Sequence, residues 1–269
     1  MNKRPLILVT NDDGIFAPGI AALVEVAREI GEVVVVAPDK PQSGKGHGIT
    51  LTEPLWLNKV NTFEGIVSYE CSGTPVDCVK LARHVILKDR PYDICVSGIN
   101  HGTNSSINVI YSGTMSAAME ASLEGIPAIG FSYLDYSFEA DFEASKRYAK
   151  DIIKFMLAAK PKKARLLNVN IPKLPYGEIK GMRICRQANA NYEEDFAVGQ
   201  DPRGRPYYWL TGKFVNHDIG EDCDVWALKN GYVSIVPCGH DLTDYKGMKE
   251  LHEDDALGEY ALLPIFNQG

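Results

Sequence analysis

Apolar positions along this chain recur with two different periods. Leu6-Ile7-Leu8-Val9 and Val33-Val34-Val35-Val36 are unbroken apolar runs of strand length. Such runs suit parallel strands buried on both faces. Between them, Ile20, Leu23, Val24, Ala27 and Ile30 recur at helical spacing, opened by Pro18 and stopped at Gly31. Residues 1–37 therefore predict strand–helix–strand, a βαβ unit with a right-handed crossover.

The pattern continues beyond a polar, Gly-rich loop at 38–50. Residues 51–72 predict extended structure, with Val67, Tyr69 and Cys71 alternating. Residues 93–99, 127–131 and 166–171 predict core strands. Helices are predicted from Thr74 or Pro75 to about Leu87, from Ser112 through Glu124, and over 140–159. From about Pro172 the pattern changes. Strand-like segments at 181–186, 207–211 and 232–237 lie between charged and Gly/Pro-rich loops, without helical periodicity. The fold class is α/β with a mostly parallel sheet over 1–172. Residues 173–269 read as a β-rich extension that packs on this core and joins subunits.

Composition narrows the function. The 269 residues are 45% apolar and 23% charged, ordinary for a globular protein. A net charge of −7 argues against a nucleic-acid polymer as partner, since that needs clustered Lys and Arg. It leaves anionic small molecules open, because a metal ion or a helix N-terminus supplies local positive potential. The six cysteines form no C-x-x-C pair, which excludes the usual zinc-ribbon and redox patterns and predicts free thiols in a reducing compartment. Cys95, between Ile94 and Val96, reads as a buried small hydrophobe. The N-terminal apolar run is too short for a signal peptide, and no run is long enough to span a bilayer. A cytoplasmic location without membrane association is the expectation.

In an open α/β sheet, ligands bind at the carboxyl ends of the strands. Three polar loops leave such ends. They carry Asn11, Asp12, Asp13 and Gly14; Asp39, Ser43, Gly44 and His47; and Asn100, His101 and Asn104, followed by Ser112-Gly113-Thr114. Adjacent carboxylates repel unless a cation or proton lies between them. Carboxylate, hydroxyl and carbonyl oxygens suit hard divalent cations. Asn-Asp-Asp-Gly is equally a turn sequence. Ser112 is equally an ordinary helix N-cap, although a helix N-terminus with a glycine is also a ready anion site. His47 and His101 are either loop histidines or proton-transfer groups. The G-x-G-x-x-G fingerprint is absent after the first strand, as are a P-loop lysine motif and a G-x-S-x-G elbow.

Together these motifs resemble one family. They are Val9-Thr10-Asn11-Asp12-Asp13-Gly14 with Ala17-Pro18-Gly19, Val36-Ala37-Pro38-Asp39 with Ser43-Gly44, and Gly73-Thr74-Pro75-Val76-Asp77-Cys78-Val79. Val96-Ser97-Gly98-Ile99-Asn100, Tyr111-Ser112-Gly113-Thr114, Asp201-Pro202-Arg203-Gly204 with Tyr208-Trp209, and Gly231-Tyr232-Val233-Ser234-Ile235 follow in order. The chain resembles the SurE survival-protein family from about residue 6 to about residue 245.

The resemblance implies a Rossmann-like three-layer αβα core, with a C-terminal extension that builds homodimers or homotetramers. It implies a 5′-nucleotidase: a phosphatase of nucleoside 5′-monophosphates, with 3′-monophosphates and short polyphosphate as further substrates. The cofactor implied is one divalent metal ion per subunit, Mg²⁺ or Mn²⁺, with Ca²⁺ possible in crystals. The metal ligands fall on Asp12, Asp13, Ser43 and Asn100. The phosphate-binding positions fall on Asn104, Ser112, Gly113 and Thr114, with Asn11 and Gly44 beside them. Asp12, Asn104 and Thr114 take the catalytic roles, and direct attack by water is favoured over an aspartyl-phosphate on Asp12.

Two departures from the family pattern stand out. The loop Gly44-Lys45-Gly46-His47-Gly48-Ile49-Thr50 replaces a serine-rich one, and Cys223-Asp224 replaces Ser/Thr-Asp. The rival readings are a non-catalytic nucleotide-binding module and a nicotinamide or sugar-nucleotide enzyme. The missing glycine fingerprint weakens the second, and the Asp-Asp…Ser…Asn set weakens the first.

Overall fold

The structure, a computed structural model, describes residues 4–253. The first apolar run forms β1 (Leu6–Thr10), which is buried throughout. Pro18 at the first turn opens α1 (Pro18–Ile30), whose buried face is Ile20, Leu23, Val24 and Ala27. The Val run follows as β2 (Glu32–Pro38), parallel to β1. Next come β3 (Leu57–Val60) and β4 (Val67–Cys71), then α2 (Pro75–Leu81). A capping box starts α2: Thr74 accepts from the Asp77 N–H, and the Asp77 carboxylate accepts from the Thr74 N–H.

The predicted helix to Leu87 is two elements, because α2 passes into a five-residue π-turn at Ala82–Ile86. β5 (Ile94–His101) is followed by the single turn α3 (Asn108–Tyr111), α4 (Gly113–Leu123) and β6 (Ala128–Tyr133). α5 (Glu143–Ala159) begins three residues later than predicted, after Phe142. β7 (Leu166–Ile171) ends the apolar series.

Beyond β7 the chain adds β8 (Met182–Ile184), β9 (Ala190–Gln200), β10 (Pro206–Asn216), α6 (Asp224–Lys229) and β11 (Val233–Cys238). The central sheet has the order β3-β4-β2-β1-β5-β6-β7-β11-β8. Its pairs are parallel from β4 to β7, while β3 and β11 run antiparallel to β4 and β7. This is a Rossmann-like α/β architecture. Two predicted strand segments of the later region, β8 and β11, join this sheet. The third, β10, pairs only with β9 in a separate hairpin of 11 matched residue pairs. β9 escapes periodicity because Glu193, Glu194 and Asp195 occupy its middle. α6 escapes because it is short.

Alternation within the strands sorts the layers. Ile7, Val9, Val33 and Val35 pack with α1 and α5 on one face. Leu6, Leu8, Val34 and Val36 pack with α2 and α4 on the other. Each such side chain contributes about 1.5–3 kcal/mol on burial. α4 is buried around most of its circumference by Ala117, Ala118 and Ala121. It lies close on the sheet because Gly130 leaves room for Met115, whose Sδ would be 2.3 Å from a Cβ there. All six cysteines are free thiols. Among the described residues, no helix is long and apolar enough to cross a membrane. Residues 239–253 belong to a separate unit, in which the N-terminal residue of α7 (Tyr245–Glu253), Tyr245, bonds Asp241.

Candidate active site

The strand order reverses at β1, with β2 on one side and β5 on the other. The loops leaving β1 and β5 diverge there and open a crevice, the usual ligand position in an open α/β sheet. Asn11 to Gly14 leave β1. Asn11 donates its amide to the Gly14 carbonyl at 2.8 Å, and Gly14 adopts a left-handed φ of +98°. The sequence is thus a turn, and the turn sets two carboxylates side by side. Asp12 is 4% exposed, and its pKa is pushed up to about 6 by burial and then by the charge of Asp13. Burial also raises Asp13, opposed by a hydrogen bond from the His101 N–H.

Opposite them, the β5–β6 register shifts between Ser97 and Asn100. Such an irregularity re-aims a side chain. Asn100 donates its amide nitrogen to the carbonyls of His101 and Gly102, at 3.2 and 3.0 Å. Its Oδ1 is left as the acceptor. Asp13 Oδ2 and Asn11 Oδ1 are buried without a hydrogen-bond partner among the described residues.

The N-terminus of α4 closes the site. Ser112 is the N-cap and accepts from the Met115 N–H at 3.0 Å. Thr114 gives Asp12 both its hydroxyl and its backbone N–H. Gly113 is required here, since a Cβ would lie 2.7 Å from the Cβ of Asp12. Ser43 lies in the loop after β2 and lines, with Asp13, a cavity of about 470 Å³. Phe16, His101, Tyr136 and Phe138 wall the same cavity. The Gln42 N–H anchors this loop on the Asp12 carbonyl at 2.8 Å. Gly44 is in open space with φ +72°. His47 reaches away from the cavity to Glu120 on α4, Nε2 to Oε2 at 3.0 Å. His101 stacks on Phe138 and meets Phe142 edge-on.

Asn104 sits in a buried amide network. Its N–H donates to Asn170 Oδ1, its carbonyl accepts from Asn168, and its amide donates to Ser132 Oγ, each at 2.8 Å. Sequence reasoning missed Asn168, Asn170, Ser132 and Glu120. The signal was present in β7, where Leu-Leu-Asn-Val-Asn-Ile places two carboxamides on one face of a buried strand. Asp224, the residue after the unusual Cys223, accepts from the N–H groups of Ser106 and Ala188 at 2.8 and 3.0 Å. It thereby pins the loop that carries Asn104.

The donor set suits a hard cation: two carboxylates, one with an unpartnered buried oxygen, a free carboxamide oxygen and a hydroxyl.

Residues 7–194 match the family model described as Survival protein SurE. The chain belongs to the SurE family. It is 60% identical over 251 residues to 5′-nucleotidase SurE of Christiangramia forsetii, covering 93% of this chain and 96% of that one. It is 44% identical over 248 residues to 5′-nucleotidase SurE of Aquifex aeolicus, covering 92% and 97%. The crystal structure of the Aquifex aeolicus SurE protein superposes with a TM-score of 0.80 at 43% identity, covering 94% of this chain and all of that one. As a SurE protein, the chain is an enzyme of the hydrolase class.

Proposed function

We propose that this SurE protein is a divalent-cation-dependent 5′-nucleotidase that converts nucleoside 5′-monophosphates to nucleoside and phosphate. Nucleoside 3′-monophosphates and short polyphosphate are its further substrates. The observation that carries this reading is the Asp12–Asp13 pair at the end of β1, with Asp12 buried against the N-terminus of α4 and Asp13 half-buried beside it. Asp12, Asp13, Ser43 and Asn100 would hold one Mg²⁺, Mn²⁺ or Ca²⁺ ion per subunit. Bound there, the ion supplies Lewis-acid polarisation of a phosphoryl oxygen and fixes its position.

The chain's own groups do the rest. The N-terminus of α4 at Ser112, Gly113 and Thr114 presents the positive end of a helix to the phosphoryl group. Asn104 adds a carboxamide, and Asn11 and Gly44 shape the rim. The nucleoside lies in the aromatic-walled cavity beside Asp13 and Ser43. Asp12 is the carboxylate placed to take a proton from the attacking water. The bond from water oxygen to phosphorus forms as the ester bond breaks, and the departing oxygen takes a proton from solvent.

Phosphate release from a panel of nucleotides and p-nitrophenyl phosphate tests the reading, with Mn²⁺ or Mg²⁺ and with EDTA. Release confined to the metal arm is expected, and no release with either metal overturns it. A substrate phosphoryl group made chiral with oxygen isotopes tests the attack: inversion at phosphorus is expected for direct attack by water, and net retention, from two displacements through Asp12, overturns it.

The hairpin supports a homodimer or homotetramer. Its strands are exposed along nearly their whole length, and Phe196, Val198, Tyr208, Trp209 and Leu210 are each more than half exposed. A lone two-stranded hairpin is marginal in water, so a second copy is the partner that covers it. Six free thiols support a reducing, cytoplasmic setting.

A further inference from the structure

Ser43 has no hydrogen bond among the described residues, and Gly44 and Gly46 after it take left-handed φ values of +72° and +53°. Within the stretch the main chain is held by two turns, Lys45 N–H to the Gln42 carbonyl and Gly48 N–H to the Lys45 carbonyl, each at 3.3 Å, so its position over the crevice is set by what it is tied to outside. The main-chain ties are few. Gln42 N–H reaches Asp12, and Gly46 N–H reaches the Tyr111 carbonyl at 3.2 Å. At the far end, the Thr74 hydroxyl holds the Gly48 carbonyl at 2.8 Å, and the Thr50 hydroxyl holds Asp77 at 2.6 Å.

Among residues 43–49, only His47 sends a side chain onto a buried acceptor. That acceptor is Glu120, whose side chain is 6% exposed. Lys80 on α2 holds the other carboxylate oxygen of Glu120. Glu120 thus joins three elements: α2, α4 and the loop. It lies on the same rigid helix whose N-terminus carries Gly113 and Thr114 against Asp12. Through His47, the loop bearing Ser43 is registered to the helix that closes the other side of the crevice.

We propose that His47 is a positioning residue: its bond to Glu120 holds residues 43–46 over the crevice, where Ser43 completes the cation site with Asp13. This rests on the reading of Ser43 as a ligand. The ligand reading and the latch have separate tests. The bond to His47, the largest cause, and Lys80 beside it keep Glu120 ionised. A charged acceptor gives a stronger bond than a neutral one, so this contact adds a side-chain tie to the main-chain ones at Gln42 and Gly46.

The experiment compares wild type, His47→Ala and His47→Gln, since a glutamine amide reaches from a position close to that of Nε2. Amide exchange is measured on the metal-free chain, and Mn²⁺ affinity by calorimetry. In His47→Ala, exchange at the bonded amides of Lys45 and Gly46 is expected to speed up about tenfold while α4 and β1 keep their protection. Mn²⁺ affinity is expected to fall ~10-fold, the usual effect of losing a group that orients a ligand. His47→Gln restores both. In turnover, His47→Ala raises the Mn²⁺ concentration for half-activity and leaves kcat at saturating Mn²⁺ nearly unchanged.

Unchanged exchange at Lys45 and Gly46, or faster exchange with unchanged Mn²⁺ affinity, overturns the latch. Loss of α4 protection in His47→Ala also overturns it, because the contact is then a stability element. Ser43→Ala decides the other reading: wild-type Mn²⁺ affinity there removes Ser43 from the ligand set.

Discussion

Asp12 sits so close to Gly113 that a Cβ on Gly113 would fall 2.7 Å from the Asp12 Cβ and 2.9 Å from its Oδ2. The glycine is therefore a condition of the carboxylate's position. Gly113→Ala forces Asp12 away from the Thr114 hydroxyl or shifts the first turn of α4. A displacement of about 1 Å at such a site costs about 10²-fold in rate. Overpacking costs about 1–3 kcal/mol in stability. The expected outcome is a folded protein with kcat reduced by about two orders of magnitude, measured by phosphate release beside a thermal melt. A variant within twofold of wild type contradicts the close packing.

Asp12 also makes stability depend on pH when metal is absent. Its pKa rises from 3.8 to about 6 on folding, so the folded chain holds a proton that the unfolded chain has released. The stability this provides is complete below pH 3.8 and is lost as pH rises through 6. In EDTA, wild type should lose roughly 2–3 kcal/mol from this group between pH 4 and 7. Asp12→Asn lacks that loss, so near pH 7 its Tm in EDTA should exceed wild type by on the order of 5 °C, with turnover abolished. Parallel Tm profiles for the two proteins in EDTA would sink the assignment.

The apolar runs made the parallel core legible, because four to five consecutive apolar, largely β-branched residues bounded by polar loops suit a strand buried on both faces and are too short for a helix. The ends of these strands were legible for the same reason: Asp12 and Asp13 follow β1, Asn100 lies among the last paired residues of β5, and Thr114 opens α4. Contacts between distant segments were not legible. Nothing near His47 announces Glu120, and nothing near Asn104 announces Asn170. Period also fails where a strand has no buried face, as in β9, with Glu193, Glu194 and Asp195 in its middle.

The Asn168–Asn170 pair positions Asn104 from below. Asn170 Oδ1 takes the buried Asn104 N–H, and its amide holds Asn168 Oδ1, both at 2.8 Å. Asn170→Leu keeps the volume and strands that N–H, costing about 1–3 kcal/mol. The loop carrying Asn104 then loses its register. Phosphate release should fall about 10-fold or more, with a lower Tm. A variant with lowered Tm and full kcat/KM would show that Asn104 needs no such placement.

The hairpin makes a separate prediction. Trp209 and Leu210 are 69% and 64% exposed. Replacing both by Lys leaves the central sheet untouched, since β9 and β10 pair only with each other. Sedimentation should then show a smaller assembly than wild type. An unchanged sedimentation coefficient would remove the hairpin from the interface.

The cavity beside Asp13 separates recognition of the nucleoside from hydrolysis of the phosphoester. Phe16 is 69% exposed and Tyr136 73% exposed, at the mouth of the about 470 Å³ space that Ser43 also lines. Tyr136 lies over Gly102, where a Cβ would be 2.3 Å from its ring, so the backbone holds the ring in place. An aromatic face stacks on any nucleobase and is worth about 1–3 kcal/mol per base. Phe16→Ala and Tyr136→Ala should therefore each raise KM for nucleoside monophosphates about 5- to 100-fold. They should leave kcat/KM for p-nitrophenyl phosphate close to wild type, because neither ring belongs to the carboxylate pair or the α4 N-terminus. Equal losses on both substrates would mean that the rings support the metal loop, and would remove the cavity from base recognition.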